Sequence, residues 1–254
     1  MDPSHALAWL VTRELPAFWV AQALGLALAM ALVARRVGGG AGLSTALGLA
    51  LGACAGALLF GPLLRLPRAL AGGASPFAPG FVMSWGALFG ASLGVVLVGR
   101  ARRARAGPLL DAAAPALGLL VALGRLGCLV SGCCHGRPAP WGLVYPPGTP
   151  AFDEHVRRGL VPPSALSSLG TVPMQALEAA LGAALVCVGL RARRGGAFAL
   201  VLGGYALGRL ALEALRDDAR PSFGPLSLAQ WLSLAVLAAF ASARAGQAAR
   251  PTPR

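Results

Sequence analysis

Seven apolar stretches of about 20 residues divide this chain, and that pattern leaves few folds open. A helix crossing a hydrocarbon core about 30 Å thick needs about 20 largely apolar residues. The stretches at 17–34, 41–64, 79–99, 108–131, 173–190, 196–215 and 226–243 all approach that length. The expected fold is therefore all-α, a polytopic integral membrane protein with about seven transmembrane helices. The first stretch exceeds the 7–15 apolar residues of a signal-peptide core and ends on Arg35-Arg36, so it reads as a retained helix. Residues 1–254 read as a single transmembrane domain without internal repeat, and 133–170, rich in Pro and polar residues, is the one long external loop expected.

Charge orients the spans. All 22 basic residues are Arg, and with 9 acidic residues the formal net charge is +13. Such a charge suits either nucleic acid or anionic lipid. Here the arginines fall in small groups between apolar stretches, which favours the membrane and argues against a nucleic-acid binder. Arg35 and Arg36, Arg100 to Arg105, Arg191 to Arg194, and Arg244, Arg250 and Arg254 follow the odd-numbered spans with no acid among them. By the positive-inside rule those ends are cytoplasmic, which places the N-terminus outside and the C-terminus inside. The opposite ends mix Arg13, Arg65, Arg68, Arg137, Arg157, Arg158, Arg216 and Arg220 with Asp2, Glu14, Asp153, Glu154, Asp217 and Asp218. Glycines across 48–56 stand at helix-packing spacing.

An ionisable group deep in a span costs at least about 2.5–3.5 kcal/mol, so each needs a partner or a function. Asp111 and Arg125 lie in the fourth span, Gln175 and Glu178 open the fifth, and Tyr205, Arg209, Glu213 and Arg216 belong to the sixth. Arg209, Glu213 and Arg216 share one helical face, which must point into the bundle. Arg209 and Glu213 by themselves could simply neutralise each other as a buried structural pair. Arg125 has no acid one turn away; it requires Glu178 or Glu213 from another helix, or an anion brought by a ligand. Two inward arginines on different helices, with planar forks matched to phosphate oxygens, suggest a lipid headgroup.

The densest motif runs from Gly124 to Arg137 and reads GRLGCLVSGCCHGR. Its glycines permit close backbone approach, and exposed N–H groups there can cradle an anion. Cys128, Cys133, Cys134 and His135 are soft candidate ligands, yet the usual C-x-x-C spacing is absent, so no metal site and no cofactor are expected and packing is the plainer role. Five cysteines, with Cys54 and Cys187 inside apolar runs, exclude a fully paired disulfide scaffold. His155, among Asp153, Glu154, Arg157 and Arg158, reads as part of a solvated charged segment. His5 falls in the N-terminal tail, Trp9, Trp19, Trp141 and Trp231 stand near span ends where indoles favour the interface, and Trp85 inside the third span reads as packing.

These motifs resemble the bacterial prolipoprotein diacylglyceryl transferases. The resemblance rests on Asp111-x-x-x-Pro115-Ala116, Gly124-Arg125-x-Gly127-Cys128, Gly132-Cys133-Cys134-His135-Gly136, Trp141-Gly142 and Tyr145-Pro146. It continues in Pro173-x-Gln175-x-x-Glu178, Tyr205-x-x-x-Arg209-x-x-x-Glu213-x-x-Arg216 and Ser227-x-x-Gln230, and covers about half the chain, 111–234. It implies a seven-helix enzyme of the bacterial inner membrane with an external N-terminus. Such an enzyme moves the diacylglyceryl group of phosphatidylglycerol onto the lipobox cysteine of a prolipoprotein signal peptide, forming a thioether. By the same resemblance Arg125 and Arg209 are the catalytic residues, holding the phosphate. Glu213 and Arg216 orient Arg209, Gly136 shapes the headgroup loop, and Gly124, Gln175, Glu178 and Tyr205 complete the substrate site. Trp85-Gly86-Ala87 stands where the family carries His or Tyr before Gly-Gly, and Val172 and Leu177 replace a His and a Tyr around Gln175. Two other readings stay open: a diverged member that binds an anionic lipid without transferring it, and a small organic-anion transporter.

Overall fold

The computed structural model describes residues 15–70, 84–193, 195–217 and 222–248. Its helices are α1 (Leu15–Val37), α2 (Gly39–Leu70), α3 (Ser84–Ala101), α4 (Ala106–Ser131), the short α5 (Pro150–Arg157), α6 (Met174–Arg191), α7 (Ala197–Glu213) and α8 (Leu228–Ala248). A strand-like segment β1 (Pro138–Leu143) precedes α5, and a tiny antiparallel hairpin of β2 (Ser222–Phe223) and β3 (Leu226–Ser227) precedes α8. All seven expected spans appear as helices, though the start expected for the third lies outside the described residues, as do His5, Trp9, Arg13, Glu14, Arg194, Asp218 and Arg220. Six of the helices are long and apolar enough to cross a membrane; α7, with 17 residues and two charges, falls just short. Leu51, Leu58, Leu63 and Leu207 stay more than half exposed, which in water would be a costly apolar surface and in lipid is the ordinary state. The fold is that of a polytopic all-α membrane protein.

Helix packing follows the small residues. Gly48, Gly52 and Gly56 of α2 face Gly94, Gly90 and Gly86 of α3, and a Cβ on any of the six would land inside the van der Waals shell of the opposite backbone. No hydrophobic effect draws helices together in lipid, so this close backbone contact is where dispersion accumulates. Gly118 and Gly182 give α4 and α6 the same approach, while Gly127 sits on Phe18 and Ala21 of α1.

The helix ends are tied by polar contacts. At the arginine-rich end Asp111 accepts hydrogen bonds from Gly195 N (2.5 Å) and Phe198 N (2.9 Å), so the carboxylate of α4 caps α7. Arg36 Nε donates to Ala112 O and Arg102 to Gly40 O at the same end. At the other end the chain between α4 and α6 is folded. Gly136 N donates to Val172 O, Val172 N to Arg137 O, and Arg137 N to Leu215 O, which threads one extended segment between the start of α6 and the end of α7. The expectation of a solvated segment around His155 is corrected here. His155 is fully buried, its Nδ1 accepts from Leu169 N at 3.1 Å, and its ring lies 5.5 Å edge-on from that of His135. Its charged neighbours turn outward, with Arg157 paired to Glu154 and Arg158 to Asp217. Ser227 and Gln230 form a reciprocal capping box on α8, through Ser227 N to Gln230 Oε1 (2.9 Å) and Gln230 N to Ser227 Oγ (3.2 Å).

Candidate functional site

Glu178, one turn into α6, is fully buried and collects three arginines. Arg125 Nε of α4 lies 2.6 Å from Oε2, Arg216 Nη1 lies 2.8 Å from Oε1, and Arg209 Nη1 of α7 pairs with the same Oε1. Arg209 Nη2 reaches Glu213 Oε2 at 2.9 Å, the i, i+4 pair that the spacing gives. Of the two acids open to Arg125 in the sequence, the fold supplies Glu178. All three guanidinium groups are nearly buried: Arg209 is 2% exposed, Arg125 6% and Arg216 8%.

Local structure accounts for the convergence. The Gly136–Arg137 segment pairs with Val172 on one side and Arg216 on the other, so the start of α6 and the end of α7 register against it. A side chain at Gly136 would run into Met174 and Val172. Gln175 Nε2 donates to Cys133 O at 2.6 Å, tying α6 to the turn that follows α4. Three residues thus act on the same joint, and the arginine-to-glutamate distances depend on it.

The remaining expected residues divide. Tyr205 is buried one turn before Arg209, with its ring 4.9 Å from that of Trp85 in an edge-to-face pair, and Trp85 stacks on Phe89. Tyr205 Oη and Trp85 Nε1 are buried without hydrogen-bond partners among the described residues. Such groups are costly unless something else bonds to them. Gly124 does not join the cluster. It faces α1, where Gln22 Nε2 donates to its carbonyl at 3.4 Å and the Gln22 side chain would crowd a Cβ placed there. Ser84 does join, accepting from Arg125 Nη2 at 2.6 Å. Nothing in the sequence marked it, because a serine at a helix start is ordinarily a cap. Burial raises the pKa of the nearby Tyr145 phenol.

Glu178 and Glu213 gather the three guanidinium groups in a buried, water-poor setting, where charge-assisted bonds are strong.

Fold and site together define a polytopic helical membrane protein with a buried arginine–glutamate cluster. Residues 71–244 match the model of the prolipoprotein diacylglyceryl transferase family, and the chain belongs to that family. Phosphatidylglycerol–prolipoprotein diacylglyceryl transferase 2 of Clostridium perfringens is 32% identical over 166 residues, covering 63% of this chain and 60% of that protein. The corresponding transferase of Clostridium tetani is 30% identical over 158 residues, 61% of this chain and 59% of that protein. That of Trichormus variabilis is 32% identical over 151 residues, 59% and 53%. The chain thus spans about three fifths of the length of the first two relatives.

Proposed function

We propose that this protein transfers the diacylglyceryl group of phosphatidylglycerol to the lipobox cysteine of prolipoproteins in a bacterial plasma membrane, with its N-terminus and Glu178 cluster toward the external face. One observation carries the reading: Glu178 draws Arg125 and Arg209 from separate helices onto the two oxygens of one buried carboxylate. Family membership and the relatives' names support the substrates.

In this reaction the peptide sulfur attacks the glyceryl carbon, an S–C bond forms, and the C–O bond to phosphate breaks. The electron pair of that bond leaves on the phosphate oxygen, and the thiol proton is released with glycerol phosphate. The substrate supplies the nucleophile, so none of this chain's cysteines is required as one. Arg125 and Arg209 hold the phosphate and stabilise the charge that grows on it, a preorganised electrostatic task. Glu178 keeps both forks oriented, Glu213 fixes Arg209 from its other side, and Ser84 steers Arg125. Tyr205 Oη and Trp85 Nε1, buried beside Arg209 and against each other's rings, are further donors. No cofactor takes part.

The test incubates purified full-length protein with phosphatidylglycerol and a lipobox peptide and reads the peptide by mass spectrometry. A mass increase of one diacylglyceryl group on the cysteine is expected. Tight phosphatidylglycerol binding with no peptide modification would instead establish lipid binding without transfer.

A further inference from the structure

We propose that Cys128, Cys133 and Cys134 form a binding site for a soft, thiophilic d¹⁰ cation, held by three thiolates in trigonal geometry, with Cu(I) the ion that suits it. Their sulfur atoms all lie within 4.8 Å of one another. Sequence spacing hides this, since Cys128 stands more than a helical turn before the other two. The fold removes the separation: α4 ends at Ser131, Gly132 takes a left-handed conformation (φ 67°), and Cys134 takes one too (φ 59°), which folds the chain back over the helix end. A left-handed non-glycine residue costs about 1–2 kcal/mol. Cys133 Sγ then sits 3.9 Å from Cys128 O and 3.4 Å from Ser131 Oγ.

The geometry matches a small thiophilic ion. With metal–sulfur bonds of about 2.3 Å, three sulfurs in a trigonal plane stand about 4 Å apart. The group needs only minor side-chain rotation to reach that spacing. Cys128 is buried and forms the floor; Cys133 and Cys134 are half-buried and leave an approach.

Ligand number selects the ion. Among the described residues no histidine or carboxylate joins the three sulfurs. His135, next in sequence, keeps Nδ1 by Gly136 O at 3.2 Å and packs on His155. Structural zinc asks for four ligands, whereas soft thiolates select Cu(I), which accepts three. Binding displaces three protons from the thiols into solvent and moves no electrons. Cys54 and Cys187 stand apart and exposed on α2 and α6, and serve as internal controls. The site does not depend on the transferase reading.

The full chain, purified in detergent, reduced and kept anaerobic, is titrated with Cu(I) in competition with bicinchoninate. One tightly held Cu(I) per chain is expected, with Cys128, Cys133 and Cys134 protected from alkylation, Cys54 and Cys187 still reactive, and X-ray absorption giving three sulfur neighbours. Cys133→Ser with Cys134→Ser should weaken binding by more than the about 10–100-fold typical of losing an outer-sphere partner, while Cys54→Ser with Cys187→Ser leaves it unchanged. Protection without preference among the five thiols, two sulfur neighbours in place of three, or no tight binding would overturn the proposal. The wild-type protection map decides even where a variant fails to fold.

Discussion

Arg125 shows how much one residue's surroundings reveal. Its placement in an apolar run with no acid a turn away required an acid from another helix or an anion brought by a ligand, and that much followed from spacing and the cost of charge in lipid. Which acid would answer depended on helix rotation, and Ser84 as a further acceptor depended on where α3 begins. If Arg125 and Arg209 grip one phosphate, Arg125→Ala and Arg209→Ala should each lower the transfer rate by about 10²–10³, and lysine at either position should rescue poorly. The double alanine variant should be little worse than either single one, because residues acting as a unit are non-additive; multiplying losses would separate their roles. Glu178→Gln should act on stability as well. Removing the acid from three buried cations costs about 3–5 kcal/mol, read as an earlier thermal unfolding in detergent. His155 gives a pH dependence. Burial, followed by the neighbouring His135, lowers its pKa beneath the ordinary 6.5, so its contribution to stability is complete above that value and is lost as pH falls through the depressed one. His155→Asn, which keeps an acceptor for Leu169 N, should flatten the acid limb of the unfolding profile.

At the scale of elements, the helices were legible because lipid demands long apolar runs; most ends lay close to the observed ones, while α2 and α8 run on past the ends expected for them. The segment after α4 was not. Its order comes from backbone pairing between Gly136, Val172 and Leu215, residues far apart in the chain, and short polar stretches carry no periodicity to announce such pairing. His155 was misread for that reason: its charged neighbours describe one face of α5, and the buried face shows only once α5 has docked. The glycine pairing of α2 with α3 was half visible, since the spacing on α2 was plain and its partner was not. Gly52→Ala or Gly90→Ala should force the helices apart and cost about 1–3 kcal/mol, as overpacking does. Unfolding in graded denaturant checks this, and an unchanged midpoint would mean that the pair tolerates a wider spacing.

For the whole molecule, orientation rests on arginine bias alone. A reporter active only outside the cytoplasm should work when fused after Arg158 and fail after Arg105; the reverse would turn the molecule over and place the Glu178 cluster on the inner leaflet. The two faces are not independent, however. Asp111 and Arg125 sit fourteen residues apart on α4, about 21 Å along its axis, and each fastens that helix to another element: Asp111 to the start of α7, Arg125 to Glu178 on α6. Because Arg209 rides on α7, the carboxylate at the arginine-rich end works as a depth stop that sets how far α7 is inserted and therefore the height at which Arg209 meets its partner. A shift of 1 Å can cost about 10² in rate. Asp111→Ala should thus blunt transfer from the far side of the membrane, with lipid-facing surfaces untouched, and a lengthening of α7 by one residue at its start should do the same with Asp111 intact.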